Sequence, residues 1–290
     1  MPKNKQDTMM SFNTVKISVD EHIAQLQLIR PESYNSLNRS FWREFPLALA
    51  EIRDNPEVRA LVISSTGKHF SAGMDLEIFT KPDPRLFNGE ASRRGEYVRR
   101  LVLDLQDVFN QLEKLRMPVL VAIQGGCIGG AFDLVCACDS RYCTQDAYFT
   151  IKETELGITA DLGTLQRLPT LISPGLAREL AYTARKLEAD EALSSSLVNR
   201  VFPDAESMLS GVMDIARQIA SHSPLAVTGS KIMLNYAREH SVTDSLEYMA
   251  AWQSGMFQPA DMMEGFAAKT QQRTTAYEPL RPIEPPFPEV

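Results

Sequence analysis

The chain is poor in the residues that most often announce a site. Its only cysteines are Cys127, Cys136, Cys138 and Cys143, and its only histidines are His22, His69, His222 and His240. No two cysteines stand in a CxxC spacing and the histidines are scattered, which argues against a zinc centre; metal: none is the expectation. The cysteines read instead as small buried hydrophobes, with no disulfide expected. Positive charge is not in excess: the net charge of -7 and pI of about 5.3 argue against a nucleic-acid partner. No apolar run approaches the roughly 20 residues of a membrane span. The opening MPKNKQDTMM lacks an apolar signal core, and PPFPEV is not a peroxisomal address, so a cytoplasmic protein is expected. There is neither GxGxxG nor GK[ST], which removes the usual phosphate cradles.

What remains is an ordinary globular composition on a chain of 290 residues, long enough for one large domain or a domain with an appended subdomain. Its centre of interest runs from Pro118 to Gln166. Val119 to Ile123 reads as a buried strand that breaks on Gly125-Gly126 and Gly129-Gly130 and continues into an apolar segment carrying one acid, Asp133. Glycine pairs after a strand let the backbone turn sharply and leave N–H groups free at the start of the next helix, a place that stabilises developing negative charge. Asp133 sits within FDLVCAC, where burial would be costly without a partner or a function. Glu153 and Asp161 follow, the first just after strand-like AYFTI and the second in a glycine-containing loop. Their pattern alone decides between a solvated face and a site no better than chance. A second strand-to-loop transition, Val58 to Ser64 followed by STGKHFSAGMDL, offers the backbone N–H groups of Gly73 and Met74 in the same way.

Elsewhere Val15 to Val19 and His22 to Leu28 predict a hairpin about Asp20-Glu21. Leu37, Phe41, Phe45, Leu49 and Ile52 mark one face of a helix ending near Asn55-Pro56. Residues 80–95 read as a polar, mobile excursion, and Tyr97 to Leu115 as a helix. The alternation of strand, turn and helix argues an α/β architecture with parallel strands. Beyond Gly163 strands all but vanish in favour of helical segments. The division expected is a polar lead at 1–11, an α/β core at 12–211, a C-terminal helical subdomain at 212–273 and a Pro-rich tail at 274–290.

Taken together, IRPESYNSLN, HFSAGMDL, AIQGGCIGGAFDL and GTLQRLP, in that order and followed by a helical region, resemble the enoyl-CoA hydratase/isomerase (crotonase) superfamily. CDSRYCTQDAYFTIKETELGITADLGTLQRLP is most similar to its Δ3,5-Δ2,4-dienoyl-CoA isomerases. The resemblance implies a spiral core of repeated ββα units with a C-terminal helical subdomain, an acyl-CoA thioester substrate, no cofactor beyond the coenzyme A that the substrate brings, and a homotrimer or dimer of trimers. It also implies an oxyanion hole from the backbone N–H groups of Met74 and Gly130, with Ala72, Gly73, Asp75 and Gly129 shaping the substrate site. Glu153 would act at C2 of the acyl chain, Asp161 at C6, and Asp133 would occupy the place of a hydratase's second glutamate. Ser33-Tyr34 stands where many relatives have a basic residue, leaving Arg30, Lys68 and Lys269 of a neighbouring subunit as candidates for the coenzyme A phosphates. Competing expectations are a 2-enoyl-CoA hydratase using Glu153 and Asp133, and a non-catalytic acyl-CoA-binding or scaffold protein of the same fold.

Overall fold

A computed structural model of the chain describes residues 11–283. Nearly all of the expected lead, residues 1–10, and the last part of the expected tail, 284–290, lie outside the described residues. The first strands, β1 (Val15–Asp20) and β2 (Ile23–Leu28), form the expected hairpin, paired antiparallel from Val15 opposite Leu28 to Asp20 opposite Ile23. Glu21 and His22 at its tip both have positive φ, 46° and 66°, the twist that two-residue hairpin turns favour. Asn38 caps α1 (Arg39–Asp54) by accepting the Phe41 N–H, and Phe41, Phe45, Leu49 and Ile52 are buried along one face as their spacing requires, whereas Leu37, expected on that face, lies before the cap and bridges to Met74.

Then come β3 (Ala60–Ser65), the short α2 (Leu76–Thr80), α3 (Ala91–Lys114), β4 (Val119–Ile123), β5 (Gly126–Ile128), α4 (Gly130–Cys136), β6 (Ser140–Thr144) and β7 (Tyr148–Thr150). They continue with α5 (Thr164–Leu171), α6 (Pro174–Thr183), β8 (Leu187–Glu188), α7 (Ala189–Ser194), β9 (Arg200–Phe202), α8 (Ala205–Ala220), α9 (Pro224–Ala237), α10 (Val242–Met256) and α11 (Pro259–Gln271). The larger sheet runs β1-β2-β3-β4-β6-β9 and is parallel from β2 onward. Its central strand β4, VLVAI, is buried throughout, as a parallel sheet covered on both faces demands. The smaller sheet runs β5-β7-β8 and is extended by isolated bridges from Leu37 to Met74 and from Ser71 to Cys127. Each turn of the spiral is thus a long strand, a short strand or bridge, and a helix: β2–Leu37–α1, β3–Ser71/Met74–α2, β4–β5–α4 and β6–β7–α5. This is the expected ββα repeat.

The structure differs from the sequence reading in three places. Strands do persist beyond Gly163: β9 completes the large sheet beside β6, and β8 completes the small one beside β7. They are too short for an alternation to show. The division expected after residue 211 falls inside α8, whose Val212 and Ala216 pack with Ile23, Val62, Leu120 and Phe202 against the large sheet. That helix is a core layer; α9 is still tied to the connection between α3 and β4 through Thr228 and Lys231, and the helices that stand away begin at Val242. Residues 80–95 hold a 3-10 turn at Pro84–Leu86 and the start of α3, with Asp83 accepting from the Arg85 N–H and the Tyr97 hydroxyl.

The C-terminal helices are unlike the rest. No residue of α10 is buried and only Ala268 is buried in α11, while Leu234, Val242, Leu246, Met263 and Phe266 are all largely exposed.

Candidate active site

Two successive turns of the spiral deliver two backbone N–H groups to one place. Buried Asn35 clamps the first turn to the second: its side-chain amide donates to the carbonyls of Thr66 and His69, and its own carbonyl accepts the Ser71 hydroxyl at 2.8 Å. The same hydroxyl accepts the Gly73 N–H. Gly73, at φ +80°, then brings the chain so close to the next turn that a Cβ would lie 2.3 Å from the Ile128 carbonyl oxygen and 3.3 Å from the Gly130 nitrogen. From the other side, a Cβ on Gly130 would lie 3.8 Å from the Met74 nitrogen. The Met74 and Gly130 nitrogens therefore lie close together, and among the described residues neither N–H donates to a protein acceptor. Gly130 opens α4, whose first N–H groups have no intrahelical partner.

The acids gather around this pair. Glu153 opens the 3-10 turn Glu153–Leu156, and one of its oxygens comes within 2.9 Å of where a Cβ on Gly129 would stand. Gly129 has φ +53°, so the backbone that presents the Gly130 N–H also makes room for this carboxylate. The other oxygen of Glu153 is buried without a hydrogen-bond partner. Burial, with the negative charges of Asp133 and Asp161, pushes the Glu153 carboxyl up to about 7. Asp133, on the first turn of α4, is 1% exposed and accepts the Thr164 N–H at 2.6 Å. Burial pushes its carboxyl up to about 6, against the pull of the Thr164 contact and with a push from Asp161. Asp161 is exposed yet partly enclosed by chain, and that desolvation raises its carboxyl too. Gln106 of α3 fixes its backbone by donating to the Asp161 carbonyl at 2.6 Å.

The structure so brings together Met74, Gly129, Gly130, Glu153, Asp133 and Asp161. Asp75 is differently occupied: it caps α2 through the Glu77 N–H and accepts the Ser36 hydroxyl at 2.7 Å. The Ala72 N–H goes to the Tyr34 carbonyl. Arg30 bonds the Ser36 carbonyl, while Lys68 and Lys269 are exposed. Asn35, Ser71, Gln106 and Thr164 were not singled out by the sequence; each acts through backbone contacts that leave no periodic trace. The cysteines are buried, and burial drives the Cys136 and Cys143 thiols up to about 12, far from reactive thiolate. Among the described residues no group of three or more His, Cys, Asp or Glu is arranged to hold a metal ion, and no helix is long and apolar enough to cross a membrane.

The family model described as enoyl-CoA hydratase/isomerase matches residues 18–279. The chain belongs to that family. Within the enoyl-CoA hydratase/isomerase family it is 47% identical to the mitochondrial Δ3,5-Δ2,4-dienoyl-CoA isomerase of Mus musculus over 267 residues, 91% of this chain and 82% of that protein. It is 41% identical to the peroxisomal Δ3,5-Δ2,4-dienoyl-CoA isomerase of Arabidopsis thaliana over 277 residues, covering 94% of this chain and all of that one. Among solved structures, an enoyl-CoA hydratase from Bacillus anthracis superposes with a TM-score of 0.81 at 30% identity, covering 91% of this chain and 99% of that one. The organelle names of these isomerases overturn the expectation of a cytoplasmic protein. Net charge and the lack of a long apolar run fit a cytosol and an organelle interior equally well.

Proposed function

We propose that the chain is a Δ3,5-Δ2,4-dienoyl-CoA isomerase. The observation that carries this reading is Asp161: a third, exposed carboxyl with a raised pKa, near enough to Glu153 for its charge to raise that group in turn. The substrate's thioester oxygen lies between the Met74 and Gly130 N–H groups. Glu153, with a pKa close to the operating pH, takes a proton from C2. The charge spreads through the conjugated chain onto the thioester oxygen, where each N–H contributes about 3 kcal/mol to the barrier lowering. Asp161 in its acid form gives a proton to C6, and the two double bonds move from the 3,5 to the 2,4 positions. One proton leaves and one arrives, so no electrons are exchanged with the enzyme. An acyl chain laid over Asp161 strips water from its open side, which favours the acid form there.

Exposed apolar side chains on α10 and α11, together with Leu234 of α9, support assembly as a homotrimer or dimer of trimers. Arg30, Lys68 and Lys269 from a neighbouring subunit are the candidates for the coenzyme A phosphates.

The test is near-ultraviolet absorbance with a 3,5-dienoyl-CoA, for the unaltered protein and Asp161→Asn side by side. The expected result is growth of the 2,4-dienoyl signal with the first and a loss of about a hundredfold or more with the second. Water addition to a 2-enoyl-CoA, undiminished by Asp161→Asn and without any 2,4-dienoyl product, would make the chain a hydratase.

A further inference from the structure

One peptide group, that joining Gly73 to Met74, aims one of the two N–H groups at the thioester oxygen, and its orientation is set by the first turn of the spiral. The Gly73 carbonyl accepts the Leu37 N–H at 2.8 Å, and the Asp75 N–H donates back to the Leu37 carbonyl at 3.3 Å. In a trans peptide the carbonyl and the following N–H point opposite ways. The Met74 N–H therefore leaves from the edge away from Leu37, the edge along which Ser71 pairs with Gly126 and Ile128 of the next turn.

An ordinary strand would not do this. Successive residues of a strand turn their polar groups to alternate edges. Ser71 faces the next turn and Ala72 the first, through the Tyr34 carbonyl, so the Gly73 carbonyl should face the next turn again. Its φ of +80° reverses it toward Leu37. The Ser71 hydroxyl grips this reversed residue from behind. Ser71 is fully buried; its hydroxyl accepts the Gly73 N–H at 3.1 Å and donates to the Asn35 carbonyl at 2.8 Å. Among the described residues no main-chain carbonyl takes that N–H. Asn35 is itself fixed, accepting the Arg30 N–H and donating to the carbonyls of Thr66 and His69. A hydroxyl accepts and donates at once, which both neighbours require.

We propose that Ser71 is a positioning residue of the oxyanion hole: its hydroxyl ties the Gly73 N–H to the Asn35 carbonyl and thereby holds the Met74 N–H on the thioester oxygen. Ser71 touches no substrate atom. The inference rests on the placement of that oxygen between Met74 and Gly130 and not on where protons are moved, so a hydratase would need Ser71 equally.

The experiment is the absorbance spectrum of 2,4-dienoyl-CoA bound at saturation, for the unaltered protein, Ser71→Ala and Ser71→Cys, with turnover of 3,5-dienoyl-CoA measured beside it. Hydrogen bonds that pull charge onto the thioester oxygen move this conjugated chromophore to longer wavelength, and the spectrum needs no turnover. The unaltered protein should show the shift. Ser71→Ala should lose about half of it, with kcat lower by about ten- to a hundredfold and KM within about threefold. Ser71→Cys, whose sulfur is a weak donor and acceptor, should fall between. A side chain that only stabilised the fold would leave the shift of every folded site intact. Where Ser71→Ala fails to fold, Ser71→Cys decides alone. A full shift in the deciding variant, or none in the unaltered protein, would overturn the proposal. A shift in the unaltered protein without isomerisation would instead remove the isomerase reading and leave the role of Ser71 to be decided by the variants' spectra.

Discussion

Replacing Glu153 with Gln should stabilise the protein while disabling it, and the gain should depend on pH in one direction only. In the folded chain the carboxyl is raised from 4.5 to about 7, chiefly by burial. Between those values the folded state holds a proton that the unfolded state has released, so this group's contribution is fully present below about pH 4.5 and is lost as pH rises through about 7. Converted at 1.36 kcal/mol per pH unit, the displacement corresponds to about 3 kcal/mol; access of the cleft to part of the carboxylate brings the expected figure to about 2 kcal/mol. Gln has nearly the same shape and does not titrate. The variant should therefore match the unaltered protein near about pH 4.5 and exceed it by about 2 kcal/mol near about pH 8. Urea denaturation of both proteins at several pH values across that interval measures the difference, and subtraction removes the pH response of every other group that behaves alike in the two. A gap that stays constant with pH, or widens toward acid, would refute the placement of an ionisable Glu153 in a desolvated pocket.

Two further outcomes follow from the geometry. Gly129→Ala sets a Cβ 2.9 Å from a Glu153 oxygen on backbone with φ +53°, so it should lower stability by about 1–3 kcal/mol and also slow the isomerisation; denaturation and rate measured together would count against the reasoning if either were unchanged. Leu246→Asp combined with Phe266→Asp should convert the proposed trimer or hexamer to monomers in analytical ultracentrifugation without loss of helical circular dichroism, and an unaltered sedimentation profile would show that these exposed side chains hold no subunits together.

Much of the scaffold is legible from residue order because its elements carry their own periodicity. The alternation on either side of Asp20-Glu21 gives the hairpin, though its tip falls one residue later at Glu21-His22, the spacing from Phe41 to Ile52 gives the buried face of α1, and the unbroken apolar run of β4 gives an inner strand. The glycine breaks after β3 and β4 mark where the chain turns, since Gly73 and Gly129 occupy conformations that a side chain resists. What periodicity shows is a face, never its partner: the stripe on α8 is visible, but that it lies against the large sheet depends on residues far away, such as Ile23 and Val62. The same distance hides Asn35, which reaches Thr66 across 31 positions, and Gln106, which reaches Asp161 across 55. Lone acids are equally mute; Glu153 and Asp161 are assigned roles only through the family resemblance, and their nearness to one another exists only in the folded chain.

The placement of the Met74 and Gly130 N–H groups has a consequence for how such a protein can change. In the proposed mechanism the polarising element is written in main chain and held by bridges between successive turns of the spiral, whereas the groups proposed to move protons are side chains at separate stations on α4, the Glu153 turn and the loop before α5. Hardware and tooling are thereby decoupled. On the proposed mechanism, exchanging an acid at 133, 153 or 161 would redirect where protons come and go without dismantling the socket that makes the thioester's neighbouring carbon acidic, so one frame could be refitted for different reactions a single residue at a time.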